Sequence, residues 1–205
     1  MFAELFWMRM RTIVLALVVI IAVALTLGVL PGQAAQAIGL ASPSSLDKEL
    51  AAFEAAHGSD FIWYNDSNNS FSMKYPVGYQ ADLQPEEGTY LQFSAFNPLG
   101  ASELVSVYIW DSLFSRDDFE SNAKTFPLNL DGMTSTLTHK SAETINGREA
   151  YFFYISESLP GAETLYATSA VINCGAYSAN IVATIPQSAY PDRFVAEYMI
   201  RSFRC

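Results

Sequence analysis

The chain has 205 residues, of which 51% are apolar, 14% aromatic and only 16% charged. Such a composition supplies a core and excludes an intrinsically disordered chain. Lys and Arg total 11 against 21 Asp and Glu, a net charge of -10 with the basic residues scattered, which argues against a nucleic-acid binder.

Arg9 and Arg11 precede Thr12–Leu30, nineteen residues without a charge, and Pro31-Gly32 breaks the run before Ala35-Gln36-Ala37. A basic start, an apolar middle and an Ala-x-Ala end describe a secretory signal cleaved near Ala37. At 1.5 Å per residue the apolar run also spans nearly ~30 Å, the thickness of a hydrocarbon core, so a retained membrane anchor is the second reading. Either way residues 1–37 are the targeting segment and the rest is expected outside the cytoplasm, as a membrane-anchored, secreted or periplasmic protein. Without Glu4, Arg9 and Arg11 the exported part holds 20 acidic and 9 basic residues, net -11. Contact with anionic lipid is then expected through the N-terminal segment only.

Residues 38–59 read as a tether and a short helix, Leu46–His57, stopped by Gly58. Residues 60–205 read as one α+β domain. Short strands are expected at Phe61–Tyr64 and Phe71–Tyr75, around the turn Asn65-Asp66-Ser67-Asn68-Asn69-Ser70. Tyr90–Phe96 and Glu103–Trp110 follow with a period of two. Ser115 with Asp118 three residues on is a capping box, opening a helix to about Phe126. Strands resume at Ser135–Ile145 and return at Glu149–Ser156 through Asn146-Gly147, where a type I′ turn needs positive φ twice. Glu163–Cys174 and Tyr177–Ile185 form another hairpin, and Tyr190–Phe203 is a closing helix with Pro191 near its first turn. Tight turns make consecutive strands antiparallel. About eight strands, mainly in one antiparallel sheet flanked by helices, are the expected architecture, with a β-sandwich as the alternative.

Cys174 and Cys205 are the chain's two cysteines. In an oxidising compartment they are expected to form a disulfide, worth roughly 3 to 4 kcal/mol for a loop of about 30 residues. Two free thiols are the alternative. There is no C-x-x-C to make them a redox pair.

The stretch Phe71-Ser72-Met73-Lys74-Tyr75-Pro76-Val77-Gly78-Tyr79 resembles the F-x-hydrophobic-x-Y-P-x-G-aromatic opening of PsbP-like proteins. The order of elements is similar from about Phe61 to Phe203. The resemblance implies an α/β/α sandwich of the PsbP/Mog1 type. It also implies an extrinsic assembly or stabilising role on the far side of a membrane.

Catalytic constellations are absent from the sequence. His57 and His139 are the only histidines. No G-x-S-x-G presents a serine to His139, and no zinc-ligand spacing or phosphate-binding glycine loop occurs. No cofactor or metal is expected. Asp117, Asp118 and Glu120 suit the first turn of a helix. Asp66 to Ser70 is superficially like a calcium loop but lacks the Gly at the sixth position and the Glu at the twelfth. Asn65 and Asn68 each open an N-x-S sequon in a predicted turn and are candidate glycosylation sites, against a plain turn role for the same residues. Trp63 and Tyr64 are candidate partner-binding aromatics. The competing role for them, and for Tyr151-Phe152-Phe153-Tyr154, is a sheet buried on both faces. The expected function is a non-enzymatic exported accessory or binding protein, engaged with an extracytoplasmic or membrane protein. The alternatives are a ligand- or polysaccharide-binding surface module and a hydrolase whose site the sequence does not reveal.

Overall fold

The computed structural model describes residues 43–83, 89–96, 102–130, 132–188 and 193–205. The apolar run Thr12–Leu30 and the Ala37 cleavage point lie outside them. Among the described residues no helix is long and apolar enough to cross a membrane.

Helix α1 (Pro43–His57) leads into a two-stranded antiparallel hairpin, β1 (Phe61–Asp66) and β2 (Phe71–Pro76). The remaining strands are β3 (Gln80–Leu83), β4 (Leu91–Phe96), β5 (Ser102–Trp110), β6 (Leu128–Leu130), β7 (Met133–Ile145), β8 (Arg148–Ser158), β9 (Leu165–Asn173) and β10 (Ser178–Pro186). They form one eight-stranded sheet in the order β3-β4-β5-β10-β9-β8-β7-β6, antiparallel throughout. Helix α2 (Arg116–Ala123) follows β5, and α3 (Arg193–Ser202) follows β10.

Alternation along the strands builds two cores. On one face Phe93, Val107, Phe152, Ile172 and Ile181 meet Phe71 and Met73 of the hairpin and Met199, Ile200 and Phe203 of α3 and its exit. On the other, Tyr151, Phe153 and Val171 pack against Phe114 and Phe119, the latter the buried residue of α2. The sheet thus lies between α3 with the hairpin and α2, the layered arrangement expected from the sequence. Helix α1 rests on the outside of α3, with the Phe53 ring 5.8 Å from that of Tyr198 and Arg193 3.6 Å from Glu49.

The local signals operate as their chemistry requires. The Ser115 side chain accepts from the Asp118 N–H at 3.1 Å while the Ser115 N–H donates to the Asp118 carboxylate at 2.9 Å. Asn146 and Gly147 both have positive φ, 48° and 80°. Helix α2 ends at Ala123, short of Phe126. The Thr125 hydroxyl takes up the Asn122 carbonyl at 2.7 Å, and Pro127 biases Phe126 away from helix. Among the described residues ten strands occur where about eight were expected. The additional two, β3 and β6, are edge strands of four and three residues, too short for a period-two pattern to register. Cys174 and Cys205 form a disulfide with their Cα atoms 5.5 Å apart.

Candidate functional site

Trp63, Tyr64, Asn65 and Asn68 lie on the β1–β2 hairpin, and the disulfide cysteines Cys174 and Cys205 lie outside it. Paired residues Phe61/Pro76, Trp63/Lys74 and Asn65/Ser72 share the hairpin's outer face, where Phe61 is covered by Phe53 of α1 and Tyr198 of α3, and Ile62/Tyr75, Tyr64/Met73 and Asp66/Phe71 share the face toward the sheet. Trp63 is 39% exposed and its neighbour Ile62 44%. Two cations lie against the Trp63 ring, the Arg204 guanidinium 4.7 Å and the Lys74 ammonium 5.6 Å from its centroid. Each such contact is worth about 0.5–1 kcal/mol at an exposed site and holds the indole in one orientation. Lys74 Nζ also donates to the Tyr198 hydroxyl, which donates to Glu54 at 2.9 Å. That hydrogen bond to Tyr198 holds the Lys74 pKa above its ordinary value, so Lys74 stays charged beside the ring.

Tyr64 is placed differently. Its ring meets Phe71 and Phe93 at centroid distances of 6.1 and 5.7 Å, and its hydroxyl donates to Asp66 at 3.4 Å. Burial first, and the Asp66 charge second, push the Tyr64 phenol up to about 12. Asp66 is itself buried, accepting from the Tyr90 hydroxyl and from the Asn69 N–H at 2.7 Å each. Its carboxylate therefore ties the β1–β2 turn to β4. The hydroxyl of Tyr177 donates to the Asn69 carbonyl at 2.6 Å from the opposite side. Asn65 and Asn68 are both exposed and sit one at the end of β1 and one in the turn after it. Among the described residues no group of three or more His, Cys, Asp or Glu side chains is placed to hold a metal ion. His139 is exposed on β7 beside Tyr154.

Three charged arrangements escaped the sequence reading. Arg204 reaches Trp63 because the segment after α3 folds back on β2, a return that no local pattern announces. Arg201 joins Glu143 of β7 at 2.7 Å and Glu197 of its own helix at 3.3 Å, and stacks 5.0 Å from the Phe152 ring. Burial raises the Glu197 pKa. At Glu143 burial works in the same direction, but hydrogen bonds from Arg201 and Ser141 overcome it and the pKa is lowered. Glu157 is 5% exposed with one carboxylate oxygen unpartnered, on the same face of β8 as Tyr151 and Phe153. Its place in that alternation was the available signal.

No protein-family model matches the chain, and no curated protein does. Among solved structures it is similar to the solution structure of cyanobacterial PsbP (CyanoP) from Synechocystis sp. PCC 6803, with a TM-score of 0.54 at 14% identity over 84% of this chain and 97% of that one. The fold is of the PsbP type. The Ran-binding protein Mog1p of Saccharomyces cerevisiae matches 70% of this chain and 94% of its own, at a TM-score of 0.47 and 13% identity. LpqN of Mycobacterium tuberculosis, described as involved in cell envelope biogenesis, matches 72% of this chain and 86% of its own, at 0.48 and 14%. With the PsbP-type fold, the Phe71–Tyr79 stretch takes a structural role: Phe71 and Met73 enter the core, and Gly78 turns the chain at a φ of 97°.

Proposed function

We propose that this chain is a non-enzymatic accessory protein that docks on an extracytoplasmic or membrane-associated protein through the outer face of the β1–β2 hairpin. The observation that carries the reading is the exposed Trp63 indole, held by cation–π contacts with Arg204 and Lys74. An aromatic held rigid at the surface loses little entropy on binding, and Trp with Arg is the pairing enriched at the centres of protein interfaces. The hairpin that presents it is anchored by Asp66, Phe71 and Met73, so the face is preorganised. The PsbP-type fold is compatible with an accessory role. The signal-like residues 1–37 and the Cys174–Cys205 bond support a location outside the cytoplasm, with membrane attachment through the N-terminal segment only.

Crosslinking of the tagged protein in its native membranes, compared with Trp63→Ala, tests the reading. The expected result is a stoichiometric protein partner that is lost in the variant while its thermal unfolding stays within a few degrees of wild type. Absence of a reproducible partner, or a partner retained by the variant, overturns it.

A further inference from the structure

Ser72 commits both its N–H and its C=O to Arg204, each bond 2.8 Å long, so these groups point away from β1. Directly opposed residues of an antiparallel pair alternate between exchanging both backbone bonds and exchanging none. Asn65 opposite Ser72 is therefore a pair of the second kind. So is Trp63 opposite Lys74, whose N–H donates instead to the Ser202 hydroxyl at 2.7 Å. The N–H and C=O groups of Trp63 and Asn65 then point to the outer edge of β1, and among the described residues no strand and no backbone group pairs with them there.

The two ends of the main sheet differ from this edge. They are β3 and β6, four and three residues long, and such brevity blunts pairing with other chains. Strand β1 is six residues long and carries exposed Ile62 on one face and Trp63 on the other. Arg204 is exposed beside Trp63, and among the described residues no carboxylate forms an ion pair with it.

We propose that the outer edge of β1 accepts an extended, acidic segment of a partner protein as an added strand; this rests on the docking reading above and names its mode. The backbone groups of Trp63 and Asn65 supply the ladder bonds, the indole and Ile62 cover apolar side chains on alternate faces, and Arg204 takes a carboxylate. The net charge of -10 is screened over about 8 Å at physiological salt, and with Lys74 already paired to Glu54 at 3.5 Å, Arg204 is the cation beside the edge left to take a carboxylate. A second copy of the same chain paired edge to edge at β1 brings Asp60 and Asp66, which already serve His57 and Tyr90, and adds an equal net charge.

The test measures binding of a blocked hexapeptide of alternating valine and glutamate to the full chain. Asn65→Pro removes an outward N–H without touching the ladder to β2, which edge strands tolerate, whereas Asn65→Ala keeps it. The expected result is saturable binding by wild type and Asn65→Ala alike, about tenfold weaker binding by Asn65→Pro, and weaker binding by Arg204→Glu. Should Asn65→Pro not melt like wild type, hydrogen exchange decides: the amides of Trp63 and Asn65 slow in wild type when the peptide is added. Equal affinity of the Pro and Ala variants, unchanged exchange, a lysine peptide binding as well as the glutamate one, or no saturable binding overturns the proposal. Self-association lost in Asn65→Pro assigns the edge to a second copy and also overturns it. A partner that depends on Trp63 but not on the Asn65 N–H leaves the docking reading intact and removes only strand addition.

Discussion

Ser72 and Arg204 exchange both backbone hydrogen bonds, each 2.8 Å long, so the residues after α3 form a third antiparallel rung on the β1–β2 hairpin. Cys205, the next residue, is bonded to Cys174 just past β9, and Arg148 of β8 donates to the Cys205 carbonyl at 3.0 Å. The hairpin and the main sheet are separate backbone ladders, and this short segment joins them alongside the Tyr90–Asp66 and Tyr177–Asn69 hydrogen bonds.

The disulfide closes a loop with a sequence separation of 31 residues. Replacing Cys174 and Cys205 by Ser should cost roughly 3 to 4 kcal/mol through restored unfolded-state entropy. Urea unfolding of the double variant measures the loss, and hydrogen exchange should quicken at Ser72 more than at Phe152 in the sheet centre. Equal stability of wild type with and without reductant contradicts the assignment.

Asn146 serves two purposes. It holds a left-handed φ of 48° at the β7–β8 turn, and its side-chain amide donates to the carbonyls of Arg201 (3.2 Å) and Phe203 (2.7 Å) at the end of α3. Asn146→Gly keeps the conformational freedom but loses the two bonds, at about 1–2 kcal/mol. Asn146→Ala loses both and should cost about 1 kcal/mol more. Denaturant midpoints of the two variants separate the contributions; equal midpoints would show that the φ requirement carries no weight.

Arg201 lies among groups that tolerate its loss poorly. Glu197 is 5% exposed and Tyr154 hydrogen-bonds to it, so removing the guanidinium leaves a carboxylate without its cation inside the fold. Arg201→Met should destabilise by about 3–5 kcal/mol, the range for breaking one side of a buried pair. Adding Glu197→Gln should recover a large part of it, since Glu143 is more exposed and can be hydrated. A double-mutant cycle in urea shows this coupling, and strictly additive losses would refute it.

What the sequence carried and what it did not follow from the range of the interactions. The capping box at Ser115, the Asn146-Gly147 turn and the period-two runs of β7 to β10 are set by residues within a few positions of each other, and their chemistry is complete locally. The signal-like pattern of residues 1–37, from which export is expected, is equally local but lies outside the described residues. Trp63 was legible as an aromatic in a short strand, yet its surroundings were not, because Lys74 arrives through strand pairing and Arg204 through a return of the chain more than a hundred residues later. Tyr64 shows the same limit. Neighbours in β1 point to opposite faces, and only the placement of Phe93 and Asp66 settles that Tyr64 packs inward beneath the exposed Trp63. Arg201 meets Glu143 of β7 only because α3 lies on the sheet, a long-range contact that no local pattern marks.

Glu157 makes the stability of the protein depend on pH in a direction opposite to most carboxylates. It sits at 5% exposure opposite Ser135, whose hydroxyl reaches one of its oxygens at 3.4 Å while the other has no partner. Burial raises its pKa from 4.5 to about 7, against the smaller opposing effect of the Ser135 hydrogen bond. A carboxyl with a raised pKa binds its proton more tightly in the folded state than in the unfolded one. Its contribution is therefore fully present below about 4.5, declines as the pH rises toward about 7 and is lost above that, the total being roughly 3 kcal/mol. Glu157→Gln cannot titrate, so its unfolding free energy should gain on wild type by that amount between acid and mildly alkaline solution, whatever fixed penalty the buried amide adds. Thermal or urea unfolding of both proteins across this range gives the difference curve. Parallel profiles would mean that Glu157 ionises in the fold without penalty, and the carboxylate would then have to be reached by water between β7 and β8.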